Sequence, residues 1–211
     1  MSVQKPIALI GAGGHAGVLL DILLQRNFTC IAVVDKAPNQ TVWSGLPLIC
    51  ESDFLTRFSS NEVDLVLGLG SIPNSDTRKS LYMFFKKRGF QFKTLIHPFS
   101  SVSPSACLGE GAQVMAGAIV QANAVCADNV IINTCASVDH DTHVSAHSHI
   151  APNATLCGDV KVGEHVYVGA SSTLIQGVSI GHDSIIAAGA VVVNNIQPFS
   201  CVKGCPAKPG K

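Results

Sequence analysis

The sequence predicts two domains of different architecture: a Rossmann-like α/β half domain in residues 1–96, and a parallel β-helix of hexapeptide repeats with a short C-terminal tail in residues 97–211. In the first part, short apolar runs alternate with helical patterns, as in a parallel sheet covered by helices. In the second part, an aliphatic residue recurs every six positions, a period that belongs to neither an α-helix nor a flat strand. The composition changes at the same point, since residues 1–96 hold 10 of the 14 Lys and Arg residues and residues 97–211 hold seven of the eight His residues.

The α/β domain is predicted from four apolar runs and two helical patterns. The runs that predict strands are residues 6–10, 30–34, 63–67 and 90–96. A helix is expected after the first run, because Val18, Leu19, Ile22 and Leu23 follow a helical spacing. Residues 75–88 predict a second helix, which has basic residues in its last turn and is stopped by Gly89.

A glycine-rich turn connects the first predicted strand to the first predicted helix. Gly11, Gly13 and Ala16 have the spacing of a nucleotide-binding turn, and Asp35 closes the second strand. Glycines permit a tight turn, and the amides of a helix N-terminus bind phosphate. A dinucleotide such as NAD needs two βαβαβ halves, and this domain has room for one. The pattern therefore indicates a single nucleotide, with Asp35 on its ribose or base; the alternative is a turn that serves tight packing only.

The second domain is predicted from one unbroken repeat. Fifteen of the sixteen residues in one phase of six are Val, Leu or Ile, and the other is Cys: Val102, Leu108, Val114, Val120, Cys126, Ile132, Val138, Val144, Ile150, Leu156, Val162, Val168, Leu174, Ile180, Ile186 and Val192. The residues four positions later are mostly Ala or Ser. One inward aliphatic side chain per short strand is typical of a hexapeptide β-helix. Three strands form a triangular coil of about 18 residues, so the repeat predicts about five coils.

His140 and Asp141 are the candidate catalytic pair. His140 lies two places after the inward Val138, and its equivalents one coil away are Ala122 and Gly158. Small neighbours above and below leave an imidazole accessible at the surface of a coil. An imidazole beside a carboxylate is suited to general-base catalysis near neutral pH. The alternative is a solvated turn residue without a catalytic role.

Five other histidines invite a metal hypothesis: His143, His147, His149, His165 and His182. His147 and His165 are 18 positions apart and should stack on successive coils. A zinc site would need three converging imidazoles, and it would leave the nucleotide-binding domain without a role. We therefore expect no metal, and assign these residues to polar turns and contacts between subunits.

Composition excludes several classes of function. The net charge is zero, so nothing indicates a nucleic-acid partner or an anionic membrane. The longest apolar run, residues 185–193, is far shorter than the roughly 20 residues of a bilayer span. The N-terminal residues lack the layout of a signal peptide, and the eight cysteines contain no CxxC motif. We expect a cytoplasmic protein without membrane insertion, whose cysteines are small buried hydrophobes.

The chain resembles the sialic acid O-acetyltransferase (NeuD) family of bacterial sugar acyltransferases, and is most similar to the PglD-type enzymes that N-acetylate a UDP-linked 4-amino sugar. The resemblance extends over nearly the whole chain. It rests on residues 10–15, Asp35, Gly70 with Arg78, and on the segments 95–98, 103–106, 132–134, 138–141, 148–150 and 204–208. The resemblance implies that the β-helix is left-handed, and that the protein is a homotrimer with acetyl-CoA between neighbouring β-helices.

The same resemblance implies roles for particular residues. His140 is the general base and Asp141 its acidic neighbour, where PglD-type sequences have Glu. The expected nucleotide-sugar contacts are Gly11, Gly13, Gly14, His15, Asp35, Lys36, Gly70, Arg78 and Asn133. PglD-like sequences often have a second acid where Lys36 stands. The expected acetyl-CoA contacts are His149, Gly158, Gly169, Ala188, Lys203, Pro206 and Lys208.

The activity that follows is acetyl transfer from acetyl-CoA to the 4-amino group of a nucleotide-linked amino-deoxy sugar. The nucleotide is expected to be UDP in the first instance, and the product serves bacterial glycan synthesis. The amine attacks the thioester directly, His140 accepts its proton, and a backbone N–H near Gly158 holds the developing oxyanion. Three alternatives remain at this point: O-acetylation of a sialic-acid-like sugar, a non-catalytic nucleotide-sugar sensor, and a zinc lyase.

Overall fold

The computed structural model describes residues 5–210, which divide into two compact units. One unit comprises the described residues as far as Ser71 together with Ser75–Leu95. The other comprises Ile72–Asn74 and the described residues from Ile96 onward. The predicted fold class, a Rossmann-like α/β half domain followed by a left-handed parallel β-helix, is confirmed.

The α/β unit is a five-stranded sheet with three helices. Its strands are β1 (Ile7–Ile10), β2 (Cys30–Asp35), β3 (Val42–Trp43), β4 (Leu46–Cys50) and β5 (Asp64–Leu67). Its helices are α1 (Gly14–Gln25), α2 (Glu51–Arg57) and α3 (Thr77–Lys86). The strand order is β3-β4-β2-β1-β5, and all pairs are parallel except the β3–β4 hairpin. The carboxyl ends of β1, β2 and β5 therefore meet at one edge, where the glycine-rich turn lies.

Parts of the α/β prediction were wrong. Residues 90–96 do not form a fourth parallel strand: Phe92 makes only a single bridge to Leu65, and the last two residues pair with a strand of the β-helix. The sequence analysis missed β3, β4 and α2, because β3 and α2 are too short to show a period. Val18, expected on the buried face of α1, is 46% exposed, whereas Leu19, Ile22 and Leu23 are buried.

The β-helix consists almost entirely of two-residue strands. They are β6 (Leu95–Ile96), β7 (Ser101–Val102), β8 (Cys107–Leu108), β9 (Gln113–Val114), β10 (Ile119–Val120), β11 (Val125–Cys126), β12 (Ile131–Ile132), β13 (Ser137–Val138), β14 (His143–Val144), β15 (His149–Ile150), β16 (Thr155–Leu156), β17 (Lys161–Val162), β18 (Tyr167–Val168), β19 (Thr173–Leu174), β20 (Ser179–Ile180), β21 (Ile185–Ile186), β22 (Val191–Val192), β23 (Cys201–Lys203) and β24 (Lys208–Pro209). From β6 to β22, every third strand belongs to the same sheet, and β23 and β24 extend the sheet that contains β21, which gives three sheets of six, five and eight strands. Among the described strands of the β-helix, all pairs are parallel except the last, β23–β24.

The period of six places the core of the β-helix correctly. All sixteen predicted aliphatic positions are the second residue of a strand, from β7 to β22, and fourteen of them are buried. Nine of the ten Ala and Ser residues four positions later are buried beside them, including Ala124, Ala136 and Ala154. Most corners between sheets are turns in which one residue has positive φ, and Asn, Asp, His, Ser and Cys occupy many of these positions alongside Gly and Phe199. Short polar side chains tolerate this conformation, so the corners with Asn, Asp, His or Ser display a functional group as well as a turn.

The cysteine prediction was wrong for most of the chain. All eight cysteines are free, but only Cys126 is buried. Burial raises the pKa of the Cys126 thiol to about 12, so this side chain behaves as the small hydrophobe that was expected. The other cysteines are half-buried or exposed because they lie on outward positions of the coils and sheets. Within residues 5–210, no helix has the length and apolar character that a membrane crossing requires.

Candidate active site

His140 and Asp141 form a hydrogen-bonded pair at the corner between β13 and β14. His140 Nδ1 lies 2.8 Å from Asp141 Oδ2, and both side chains are about half exposed, at 54% and 53%. Asp141 takes the positive-φ position of the turn, with φ 60°, which turns its carboxylate toward the preceding imidazole. The backbone N–H of His140 also donates to Asp139 Oδ1 at 2.7 Å. The Nε2 edge of the imidazole is thereby directed away from Asp141.

A third residue orients the carboxylate. Asn123, one coil earlier at the same corner, donates from Nδ2 to Asp141 Oδ1 at 3.2 Å. The sequence analysis missed Asn123, although it lies 18 positions before Asp141 and the predicted coil length would have identified it.

The electrostatics of the pair favour a protonated imidazole. The pKa of His140 is raised from 6.5, chiefly by the hydrogen bond to Asp141, while loss of hydration opposes the shift and the charges of Asp139, Asp141 and Asp159 add to it. The pKa of Asp141 is lowered by its hydrogen bonds to His140 and then Asn123. A stronger base results, which accepts a proton from a substrate more readily once it is itself deprotonated.

Gly158 lies directly beside the His140 ring, as the repeat predicts. A Cβ built on Gly158 would be 2.6 Å from both Cε1 and Nε2 of His140, so the imidazole occupies the space of a side chain. The N–H of Asp159 donates to the carbonyl of His140 at 2.9 Å, which fixes the two turns in register. A glycine at this position is therefore required by the catalytic candidate rather than by the turn.

Asn133 and His149 form a second cluster, on the eight-stranded sheet, where Asn133 directly follows β12 and His149 begins the neighbouring strand β15. Asn133 Oδ1 accepts the N–H of Thr134 at 2.8 Å, so its amide group faces His149 Nε2 at 3.1 Å and donates to it. This bond requires an unprotonated Nε2. His149 is only 6% exposed, and its ring packs edge-on against Tyr167 at 5.1 Å between centroids.

The remaining predicted acetyl-CoA contacts continue along the same edge. Gly169 and Ala188 lie on successive coils, since a Cβ on Gly169 would be 2.5 Å from the Ala188 nitrogen. Lys203 in β23 pairs with Lys208 in β24, and Pro206 lies in the connection between them. Within one chain, the predicted residues therefore sort onto two corners: His140 and Gly158 after the six-stranded sheet, and Asn133, Gly169 and Ala188 after the eight-stranded sheet.

In the α/β unit, the glycine-rich turn leaves an open helix N-terminus. Gly13 is the N-cap of α1 and provides no side-chain cap, and a Cβ on Gly13 or Gly14 would meet no atom within 4 Å. Gly11 has φ +104°, a conformation that favours glycine, and it packs against the segment after β5. His15 and Gly70 are neighbours, with a built Gly70 Cβ 3.8 Å from the His15 side chain. These four predicted glycines and His15 come together around the first turn of α1.

The other predicted residues of this unit occupy different environments. Asp35 ends β2, half-buried, with Oδ1 accepting the Ala37 N–H at 3.3 Å, and Lys36 is exposed. Arg78 is buried in the first turn of α3 and donates from Nη1 to the carbonyls of Leu67, at 3.2 Å, and Leu69. Burial lowers the pKa of Arg78 to about 9. Its guanidinium thus supports the segment that leads to Gly70 from beneath.

Three of the remaining histidines, His147, His165 and His182, form a polar column at one corner, and His143 lies exposed on β14. At the corner that precedes the eight-stranded sheet, His147 pairs with Asn129 at 3.0 Å, and His165 with Asp183 at 2.8 Å. His182 Nδ1 lies 2.8 Å from the other oxygen of Asp183. In the part of the chain that the structure describes, no group of three or more His, Cys, Asp or Glu side chains is arranged to hold a metal ion.

Comparison with known proteins identifies both domains. Residues 6–84 match the PglD N-terminal domain, and residues 159–193 match the hexapeptide repeat of succinyl-transferase. A curated relative from Bacillus subtilis, named UDP-N-acetylbacillosamine N-acetyltransferase, is 35% identical over 113 residues. The matched segment is 54% of this chain and about half, 52%, of that relative.

Two solved structures match almost end to end. A variant of perosamine N-acetyltransferase from Caulobacter crescentus, in complex with CoA and GDP-perosamine, is 35% identical, with a TM-score of 0.90 over 99% of this chain and 98% of the other. The acetyltransferase domain of PglB from Neisseria gonorrhoeae is also 35% identical, with a TM-score of 0.89 over 98% of this chain and all of the other, and it has also been solved with acetyl coenzyme A. With this identity over whole chains, and with both domains matched, the protein belongs to the PglD-type family of hexapeptide-repeat sugar acetyltransferases.

Proposed function

We propose that this protein transfers the acetyl group of acetyl-CoA to the 4-amino group of a nucleotide-linked amino-deoxy sugar. The observation that carries the proposal is the His140–Asp141 pair beside Gly158, which places a strengthened base next to a backbone N–H. Two relatives support the choice of an amine acceptor, since both are named N-acetyltransferases and one of them is complexed with CoA and GDP-perosamine. The nucleotide differs between these two relatives: one name contains UDP, and the other structure contains GDP-perosamine.

The chemistry needs one proton acceptor and one hydrogen-bond donor for the oxyanion. The sugar amine attacks the thioester carbonyl, a C–N bond forms, and His140 Nε2 accepts the proton that the nitrogen loses. The Gly158 N–H holds the negative oxygen of the tetrahedral intermediate. When the intermediate collapses, the C–S bond breaks and the CoA thiolate leaves with a proton from His140. Asp141 and Asn123 hold the imidazole in the required tautomer throughout.

The nucleotide is assigned to the α/β unit. The uncapped amides of the first turn of α1 provide donors for phosphate, and Gly13 and Gly14 leave the approach open. Asp35 ends β2 at the same edge of the sheet and accepts hydrogen bonds from ribose or base, beside Lys36. His15 and Gly70 border the turn, and Arg78 acts through the segment that it supports.

The working unit is proposed to be a homotrimer in the cytoplasm, where acetyl-CoA and nucleotide sugars are made. The two corners that carry the predicted site residues belong to different edges of one prism, and three-fold packing brings the His140 corner of one copy toward the Asn133 corner of the next. Acetyl-CoA would lie between them, along Gly158 on one side and His149, Gly169, Ala188, Lys203, Pro206 and Lys208 on the other.

The test is a substrate screen with the purified chain. UDP- and GDP-linked 4-amino sugars are each incubated with acetyl-CoA, and thiol release is followed together with the mass of the sugar product. We expect thiol release and a product heavier by one acetyl group with a 4-amino sugar, and neither with the 4-hydroxy analogue or a sialic acid. Acetylation of the sialic acid alone would replace the proposal by O-acetyl transfer. Activity that requires added zinc would overturn it.

A further inference from the structure

Thr142 is a buried polar residue that the proposed mechanism leaves without a role. It directly follows Asp141 and is 0% exposed, with its side chain inside the coil. Its hydroxyl Oγ1 donates to the carbonyl of Cys157 at 3.1 Å. That carbonyl belongs to the peptide group whose N–H is the N–H of Gly158. Thr142 therefore touches the same peptide that the mechanism uses to hold the oxyanion.

The contact gives the Cys157 carbonyl a side-chain partner. In the turns that begin at Asn133 and Ala151, the first carbonyl accepts the N–H three residues later, at 2.9 and 3.1 Å. Within the described structure, the turns that begin at Cys157 and Ile175 are among those without this bond between their own ends. The carbonyl of Cys157 accepts the Thr142 hydroxyl, so a side chain from the preceding coil holds the Cys157–Gly158 peptide.

The orientation has a direct consequence for the Gly158 N–H. In a trans peptide the C=O and the N–H point in opposite directions. Because the Cys157 carbonyl is held toward a buried hydroxyl, the Gly158 N–H points away from the interior, on the surface where the His140 ring lies. A hydrogen bond to the carbonyl also polarises the peptide and makes its N–H a stronger donor.

We propose that Thr142 is a positioning residue, which fixes and polarises the Gly158 amide for the oxyanion of acetyl transfer. This inference rests on the proposed function, because it assigns the oxyanion to Gly158. It links the two halves of the site: Asp141 orients the base, and the next residue, Thr142, orients the Gly158 N–H that binds the oxyanion.

A structural role alone is the competing explanation, and the chain offers a matched control for it. Ser148 occupies the same position of the repeat one strand later, and its hydroxyl donates to the carbonyl of Gly163 at 2.8 Å and accepts the Val166 N–H at 3.0 Å. That turn carries no predicted site residue. Ser148→Ala therefore removes an equivalent hydroxyl, with an equal or larger loss of stability, at a corner without a chemical role.

The experiment compares Thr142→Val, Thr142→Ser and Ser148→Ala by steady-state kinetics, thermal unfolding and the NMR signal of the Gly158 amide. For Thr142→Val we expect kcat to fall about 10- to 100-fold, less than the 10²- to 10³-fold for loss of an oxyanion donor itself, with KM for both substrates nearly unchanged. Thr142→Ser should restore kcat, and the Gly158 amide resonance should move in Thr142→Val and return in Thr142→Ser. Ser148→Ala should lower Tm without lowering kcat.

Two results would overturn the inference. One is a Thr142→Val protein with the kcat of Ser148→Ala, and the other is a Gly158 amide resonance that is the same in all variants. If Thr142→Val does not fold, Thr142→Cys takes its place, because a thiol of similar size is a weaker donor; an unchanged kcat there would also count against Thr142. Wild-type protein that is inactive with every nucleotide amino sugar contradicts the proposed function instead, and the amide signal still tests the contact.

Discussion

At the scale of single residues, the site depends on a carboxylate shared between an imidazole and a side chain one coil earlier. Asp141 does this for His140 and Asn123, and Asp183 does it for His182 and His165, at the same place in another turn. The surroundings separate the two pairs. The His140 ring lies beside Gly158, whereas the His182 ring packs against Phe199 at 4.8 Å. A His–Asp pair therefore recurs in more than one turn of the β-helix, and the adjacent Gly158 distinguishes the catalytic candidate His140.

Replacement of the base should abolish most of the activity without affecting the fold. In His140→Ala we expect kcat to fall by roughly 10²- to 10⁴-fold, the usual contribution of a general base. Tm should hardly change, because the side chain is half exposed and lies outside the aliphatic core. Steady-state thiol release and thermal unfolding measure both. His182→Ala is the control, and equal losses of kcat in the two variants would contradict the assignment.

The pH dependence should report the raised pKa of His140. The base works only when it is deprotonated, so kcat/KM should rise with pH, with a midpoint above 6.5. Asp141→Asn removes the negative charge and leaves at most a weaker, neutral hydrogen bond to the imidazole, so its midpoint should move to lower pH. The titration of the substrate amine is common to both proteins, so the difference between their midpoints belongs to the imidazole. Identical profiles would show that His140 does not carry the proton.

At the scale of elements, the repeat specified nearly everything in the β-helix and little in the α/β unit. One inward residue in six gave all sixteen strands from β7 to β22, because each strand is too short to have any other pattern. The repeat also predicted the neighbours of His140. It says nothing of the α/β unit, where the burial of Arg78 depends on the packing of α3 against β5. Strands β3 and β4 lie in a hairpin that a strand–helix alternation does not contain.

The corner at Gly158 can be tested by adding one methyl group. Ala occupies the equivalent turn position at residues 122, 146 and 188, so Gly158→Ala suits the backbone. The new Cβ would lie 2.6 Å from His140 Cε1 and Nε2, so the exposed ring must swing aside. We expect a normal Tm and a fall in kcat on the order of 10²-fold, as for other small displacements of a reacting group. Ala146→Gly is the control; a fully active Gly158→Ala would refute the close approach.

At the scale of the whole molecule, the β-helix has few charges for its surface. Residues 97–211 contain 11 charged side chains, against 17 in the shorter first part. Long faces with so few charges favour association, and a three-fold arrangement closes on itself. The sorting of site residues onto two corners adds a chemical reason, since neither corner alone holds both a base and the Asn133–His149 cluster.

Mixed trimers can test whether neighbouring copies complete each other. His140→Ala and Asn133→Ala should each be nearly inactive alone. If one copy provides the base and its neighbour the other cluster, co-expression of the two variants should restore part of the activity, because some clefts receive an intact residue from each side. Light scattering should show a trimer in every case. A monomer with full activity, or mixed assemblies as inactive as their parents, would contradict the shared cleft.

The regular coil also converts sequence length into distance. Strands one coil apart are hydrogen-bonded neighbours, so 18 residues of chain correspond to one axial step of about 4.8 Å. His140 and Gly158 are separated by one such step, and the coils from β16 to β22 extend the edge along which the acyl donor is proposed to lie. Gain or loss of a whole coil beyond Gly158 would lengthen or shorten that edge by one axial step and leave the base, its carboxylate and the aliphatic column in place. The number of coils thus sets the length of the surface along which the acyl donor can extend.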